Sequence, residues 1–138
     1  MFDRCLYFNS NHLARVVGKI WKDAYAEVAL APSHAYLIRL VVAKPGLRQQ
    51  DIAQELHLEK STITRFIDKL VEEDYLRRSA TGAGNLREQL VFPTVKAKKI
   101  APRLNEIGDS LYAQMQEAIG PEDLQRLVAL SKIATQEL

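Results

Sequence analysis

Apolar positions Leu6, Leu13, Val16, Val17, Ile20, Trp21, Ala24 and Val28 recur at steps of three, four and seven, with Arg15, Lys19, Lys22 and Asp23 between them. That spacing gathers apolar side chains on one face of an α-helix, so residues 5–30 are predicted as one long helix. Pro32 follows, with Ser33 as candidate cap, and residues 33–43 are apolar on nearly all sides, which predicts a buried helix. Lys44-Pro45-Gly46 breaks the chain. Residues 47–56 place Ile52, Ala53 and Leu56 on one helical face. After a short connection, Ser61 is the expected N-cap of a helix over 61–74 that turns Ile63, Phe66, Ile67, Leu70 and Val71 inward. Residues 75–79 read as a strand, 81–85 as a turn of small residues, and 88–92 as the returning strand. A long helix then starts near Thr94, carrying Ile100, Leu104, Ile107, Leu111 and Met115 in register, with Pro102 expected to kink it. Gly120-Pro121 stops it and opens a last helix over 122–137, with Leu124, Leu127, Val128 and Ile133 inward.

Two short helices joined by a tight turn and followed at once by a hairpin predict a winged helix-turn-helix. The fold class is mainly α with a small β-hairpin wing. The arrangement is a single domain over 1–138, with a lobe at 31–94 and dimerisation helices at 1–30 and 95–138. The stripe from Ile100 to Met115 lies on a helix too long for one small lobe to cover, which is the reason to expect a second copy of the chain.

Composition narrows the class. At 138 residues, 47% apolar and 26% charged, the chain is long enough for a real core and ordinary for a globular protein. No apolar run reaches the roughly 18–20 residues of a membrane span, and Asn9, Asn11 and His12 interrupt the N-terminal stretch as no signal peptide would be interrupted. One cysteine excludes an internal disulfide framework, and a cytoplasmic location is expected. The net charge of +2 becomes informative only when placed along the chain. Residues 60–103 hold ten Lys and Arg against five acids, while the remainder holds nine against twelve. A basic segment inside an otherwise acidic chain fits a polyanion partner, although a solvated basic face has the same composition.

The second helix of the motif must pack on one side and leave the other for the major groove. Its bare side is Ser61, Thr62, Thr64, Arg65, Asp68 and Lys69. Hydroxyls at a helix N-terminus approach phosphates or base edges closely, and Arg65 is long enough for guanine O6/N7 or a phosphate. Arg77, Arg78 and Arg87 of the hairpin are placed to meet the backbone or a narrow minor groove. Strand alternation allows only one of Arg77 and Arg78 to face outward.

At these residues the chain resembles a known family. QQDIAQELHLEKSTITRFIDKLVEEDYLRR, residues 49–78, is similar to the helix-turn-helix core of the MarR family of bacterial regulators. LAPSHAYL (30–37) is like that family's second-helix opening, and Asn85-Leu86-Arg87 and Val91-Phe92-Pro93-Thr94 stand where it usually has Asp-x-Arg and Val-x-Leu-Thr. The resemblance implies an obligate homodimer on a palindromic DNA operator, typically a repressor released by a small aromatic ligand or an oxidant. Carried over by position, Ser61, Thr62, Thr64 and Arg65 become DNA contacts and Arg87 the minor-groove arginine. Three departures stand out. His57 occupies a turn position where glycine is common, Asn85 replaces the acid that would brace Arg87, and Pro93 and Ala97 replace Leu and Gly at the wing exit.

Other residues have plainer roles beside a functional one. Cys5 invites a redox reading, but a reactive thiol needs a lowered pKa and access, and the adjacent Arg4 does not face it on a helix. In relatives that sense peroxide the reactive position falls nearer Tyr7, so a bystander thiol is the better reading. His12, His34 and His57 lack the short spacing of a zinc site, and no metal or cofactor is expected. His12, Trp21, Tyr25, His34 and Tyr36 are candidates to line a ligand pocket, or equally core and interface aromatics. Gly82-Ala83-Gly84 lacks the strand-to-helix setting of a phosphate loop, and no nucleophile–base–acid set points to an enzyme. The alternatives to a DNA-binding regulator are a winged-helix protein-docking module and a cysteine-based redox sensor regulator.

Overall fold

The computed structural model describes residues 1–80 and 89–138. The chain resolves into two compact units, Met1–Asn105 and Glu106–Leu138. The first begins with α1 (Leu6–Tyr25), a 3-10 turn (Ala26–Val28) and α2 (Pro32–Ala43). The short strand β1 (Leu47–Arg48), α3 (Gln49–Glu55) and α4 (Lys60–Glu72) follow, then β2 (Leu76–Ala80), β3 (Gln89–Pro93) and the start of α5 (Val95–Ile119). The second unit holds the remainder of α5 and α6 (Pro121–Glu137).

Two predicted caps move. Helix α2 begins at Pro32, whose fixed φ suits the first helical position and whose missing N–H costs nothing there. Ser33 therefore sits inside the helix and does not cap it. Helix α4 starts at Lys60, with extended Glu59 at the N-cap and the Ile63 N–H donating to the Glu59 carbonyl at 3.0 Å. Ser61 is thus an exposed first-turn residue with no hydrogen bond among the described residues, and its hydroxyl is free for another task.

The turn between α3 and α4 has a complete Schellman pattern. The Leu58 N–H reaches the Ala53 carbonyl at 3.0 Å and the His57 N–H reaches Gln54 at 3.2 Å. His57 holds the left-handed conformation (φ 55°) that glycine usually supplies, so the turn is closed despite its side chain. The same pattern ends α4, with Asp74 at φ 65° and the Tyr75 N–H on the Leu70 carbonyl at 2.8 Å. Ala29, at φ 56°, makes the corner before α2.

The sheet is antiparallel in the order β1-β3-β2, with Val91 of β3 opposite Leu47 on one side and Arg78 on the other. Strand β1 has no signal in the sequence pattern, because two residues carry no periodicity and its pairing with β3 creates it. Thr94 completes the wing exit: its hydroxyl accepts from the Ala97 N–H at 3.2 Å and donates to the Asp74 carbonyl at 2.6 Å. Pro93 and Ala97 are both buried at this junction. Helix α5 is continuous through Pro102.

The lobe's core is Leu37, Ile38, Val41, Ile52, Ala53, Ile63, Ile67, Leu70, Leu76 and Val91, all buried. The expected inward face of α4 holds at Ile63, Ile67 and Leu70, whereas Val71 is exposed, since it lies about 100° round the helix from Leu70. Of the expected stripe on α5, Leu104, Ile107, Leu111 and Met115 are buried within the single chain and Ile100 is half-buried. The stripe expected to await a partner is therefore already covered from Leu104 to Met115. The expected inward face of α6 fails the other way: only Leu124 is buried, while Leu127, Val128 and Ile133 are exposed, as is Leu130.

Candidate nucleic-acid interface

Helix α4 packs through Ile63, Ile67 and Leu70, which fixes which side chains remain outside. Ser61, Thr64, Arg65, Asp68 and Lys69 are exposed and Thr62 is half-buried. Arg65 has no ion-pair or hydrogen-bond partner among the described residues, so its guanidinium can be offered whole to an acceptor. Lys69 stands 3.5 Å from Glu73 on the next turn, a solvent-exposed pair that is readily exchanged. In front of α4, Gln50 and Gln54 of α3 join His57, Lys60 and Thr62 around an open groove of 860 Å³.

The remaining candidates on this face are tied together. Arg78 of β2 donates from Nε to the Gln49 side-chain oxygen at 2.9 Å and from Nη2 to Asp68 at 2.5 Å. Gln49 in turn donates to the Thr64 hydroxyl at 3.1 Å, and that hydroxyl donates to the Lys60 carbonyl at 3.0 Å. Arg77, its neighbour on β2, points the opposite way and is exposed, with its guanidinium 4.7 Å from the centre of the Phe92 ring. Alternation along β2 thus separates the two arginines as expected. Arg87, with Asn85, lies outside the described residues.

Sequence reasoning missed Gln49 and Asp68 as partners, since their meeting with Arg78 depends on the packing of three elements. It also missed Arg48, which grips Asp51 through two hydrogen bonds (2.9 and 3.1 Å) at the start of α3 and holds that carboxyl below its usual range. Arg-x-x-Asp spacing at a helix start was the available signal.

The pocket candidates divide. Trp21 of α1 donates its indole N–H to the Tyr36 hydroxyl of α2 at 3.0 Å, and the Tyr25 and Tyr36 rings meet edge-on at 6.2 Å. Tyr25 is fully buried and donates to the Leu104 carbonyl at 3.3 Å; Arg39 lies 5.1 Å over the Tyr36 ring and donates to the Tyr25 hydroxyl. Trp21 and Tyr36, with Ala14, Val17, Gly18 and Pro32, line a largely apolar groove of 540 Å³. His34 belongs elsewhere: it meets the Phe66 ring of α4 edge-on at 4.7 Å, and burial lowers its pKa. His12 is exposed and stands apart from this group. Cys5 caps α1, its Sγ accepting from the Phe8 N–H at 3.5 Å.

A helix-turn-helix whose second helix leaves a hydroxyl and cation face bare, backed by a three-stranded sheet, defines a winged-helix protein. Residues 31–81 match the model of the MarR family. It is 26% identical over 98 residues to YybA of Bacillus subtilis (strain 168), an uncharacterized HTH-type transcriptional regulator; the match covers 70% of this chain and 64% of that relative's length. Among solved structures, the S. aureus MepR–DNA complex superposes with a TM-score of 0.86 at 14% identity, covering 99% of this chain and 100% of that one. The transcriptional repressor CouR bound to p-coumaroyl-CoA gives 0.87 at 17% identity, covering 99% and 96%. These likenesses carry the fold. Among the described residues no single helix is long and apolar enough to cross a membrane.

Proposed function

We propose that the chain is a sequence-specific DNA-binding transcriptional regulator, a homodimeric repressor that reads a palindromic operator in the cytoplasm. The observation that carries this reading is the bare face of α4, where the hydroxyl of Ser61 and the guanidinium of Arg65 have no partner among the described residues. Ser61, Thr62 and Arg65 would read bases or phosphates in the major groove, with Lys69 and Arg77 on the backbone. Arg87 is assigned to the minor groove by family resemblance alone. Homodimerisation is supported by the apolar side chains that α1 and α6 leave exposed, Leu13 and Val16 on the first and Leu130 and Ile133 on the second. DNA in the MepR complex supports the partner class.

A small aromatic ligand is the proposed release signal. The apolar groove at Trp21 and Tyr36 supports it, as does the acyl-CoA held by the CouR repressor. An oxidant signal through Cys5 has less support, because that sulfur is engaged as a helix cap.

Selection of bound sequences from random duplex DNA, with and without phenolic compounds or peroxide, tests partner, palindromy and effector together. On the selected duplex, Arg65→Ala is expected to weaken binding by about 1–3 kcal/mol. Undiminished affinity in a gel-shift titration at fixed salt would remove Arg65 from the interface.

A further inference from the structure

We propose that Arg78 is a positioning residue for DNA recognition: through Asp68, Gln49 and Thr64 it fixes the pose of α4 and withdraws those side chains from base reading. The inference rests on the regulator reading above and assigns different work to residues on the same face. Four side chains from three elements form one run of hydrogen bonds, from Arg78 of β2 to Asp68 and Gln49, and from Gln49 to Thr64. Asp68 and Thr64 lie one turn apart on α4, so the run grips that helix at two successive turns.

The donor inventory decides what is left for DNA. The single hydroxyl hydrogen of Thr64 goes to the Lys60 carbonyl, and one lone pair takes the Gln49 amide. Thr64 therefore has no donor to offer a base. The charge argument runs the same way. If Arg78 left for a phosphate, the Asp68 carboxylate would stand unpaired on the helix face that meets a polyanion. Keeping Arg78 on Asp68 neutralises that acid and spares the repulsion. The Arg78 side chain is only 21% exposed, against 60% for Asp68, so the arginine supports the pair from its more buried side. Base reading then falls to Ser61, Thr62 and Arg65.

The test compares Arg78→Gln, Asp68→Ala and the double variant on two duplexes, the selected operator and a scrambled one of equal length, across a salt series. Asp68→Ala changes an exposed helix position, so it reports even if an Arg78 variant folds poorly. Each single variant is expected to lower the operator-to-scrambled affinity ratio about tenfold, with the double variant little worse than either, as for residues acting as one unit. The salt dependence should stay that of the wild type. Equal loss on both duplexes with a slope shallower by about 0.9 would make Arg78 a phosphate contact and overturn the proposal. Amide hydrogen exchange reads the same device without DNA: Arg78→Gln should speed exchange in α3 and α4 together, and unchanged exchange there overturns it. A wild-type chain that binds no duplex would instead sink the regulator reading.

Discussion

The lobe around α4 and the helix α6 treat their apolar residues in opposite ways. In α4, Ile63, Ile67 and Leu70 are wholly buried by the chain's own elements. In α6, Leu130 and Ile133 remain 61% and 54% exposed although their spacing is equally helical. Periodicity alone cannot separate these cases, since it says that a face is apolar and not what covers it. The difference teaches that the lobe is self-sufficient within one chain, while α6 displays a surface suited to another protein surface.

The largest effect should come from the covered side. Ile67→Ala removes a fully buried side chain and is expected to cost about 2–5 kcal/mol in urea denaturation. A loss below 1 kcal/mol would mean that the lobe packs loosely. The exposed side should behave differently. Leu130→Glu with Ile133→Glu is expected to leave secondary structure intact by circular dichroism and to convert dimer to monomer in sedimentation; a dimer that persists removes α6 from the interface. A smaller effect probes a corner near the lobe. Ala29→Gly relieves a left-handed alanine and should raise stability by about 0.5–1 kcal/mol, read from the same denaturation curves. The smallest concerns His34, packed on Phe66 of α4. Burial lowers its pKa, Lys69 adds to the lowering and Glu73 opposes it. The unfolded chain then binds the proton more readily, so stability is full above the ordinary histidine pKa of about 6.5 and declines as pH falls through it. His34→Gln should flatten that decline, and an unchanged pH profile would remove His34 as its source.

The order of helices and the hairpin were legible because burial imposes a 3.6-residue period on each helix, and Ile63, Ile67 and Leu70 obey it. The exposed candidates Ser61, Arg65 and Lys69 followed from the complementary face. Helix starts were less legible. Ser33 and Ser61 looked like caps, yet Pro32 and Glu59 set the boundaries, because a proline at the first helical position and an extended residue before Lys60 serve as well. The Arg78 cluster was not legible at all. Gln49 and Arg78 are 29 residues apart and meet only because β2 pairs with β3, which pairs with β1 beside α3. The pairing of Trp21 with Tyr36 shows the middle case: both were named as candidates, while their hydrogen bond needed the corner at Ala29 to bring α1 and α2 together.

The strand order has a consequence for the exposed edge of the sheet. Among the described residues, strand β3 has neighbours on both sides, so β2, five residues long, stands at the edge of the sheet. An unpaired row of backbone donors and acceptors is a template for another chain's strand. Here the strand carries two adjacent arginines, one to each face, and a stray strand docking there would meet the exposed charge of Arg77. Arg77 is the exposed charge on that edge, since Arg78 is held on Asp68 and Gln49, so surface engineering that made Arg77 apolar would leave the edge without it.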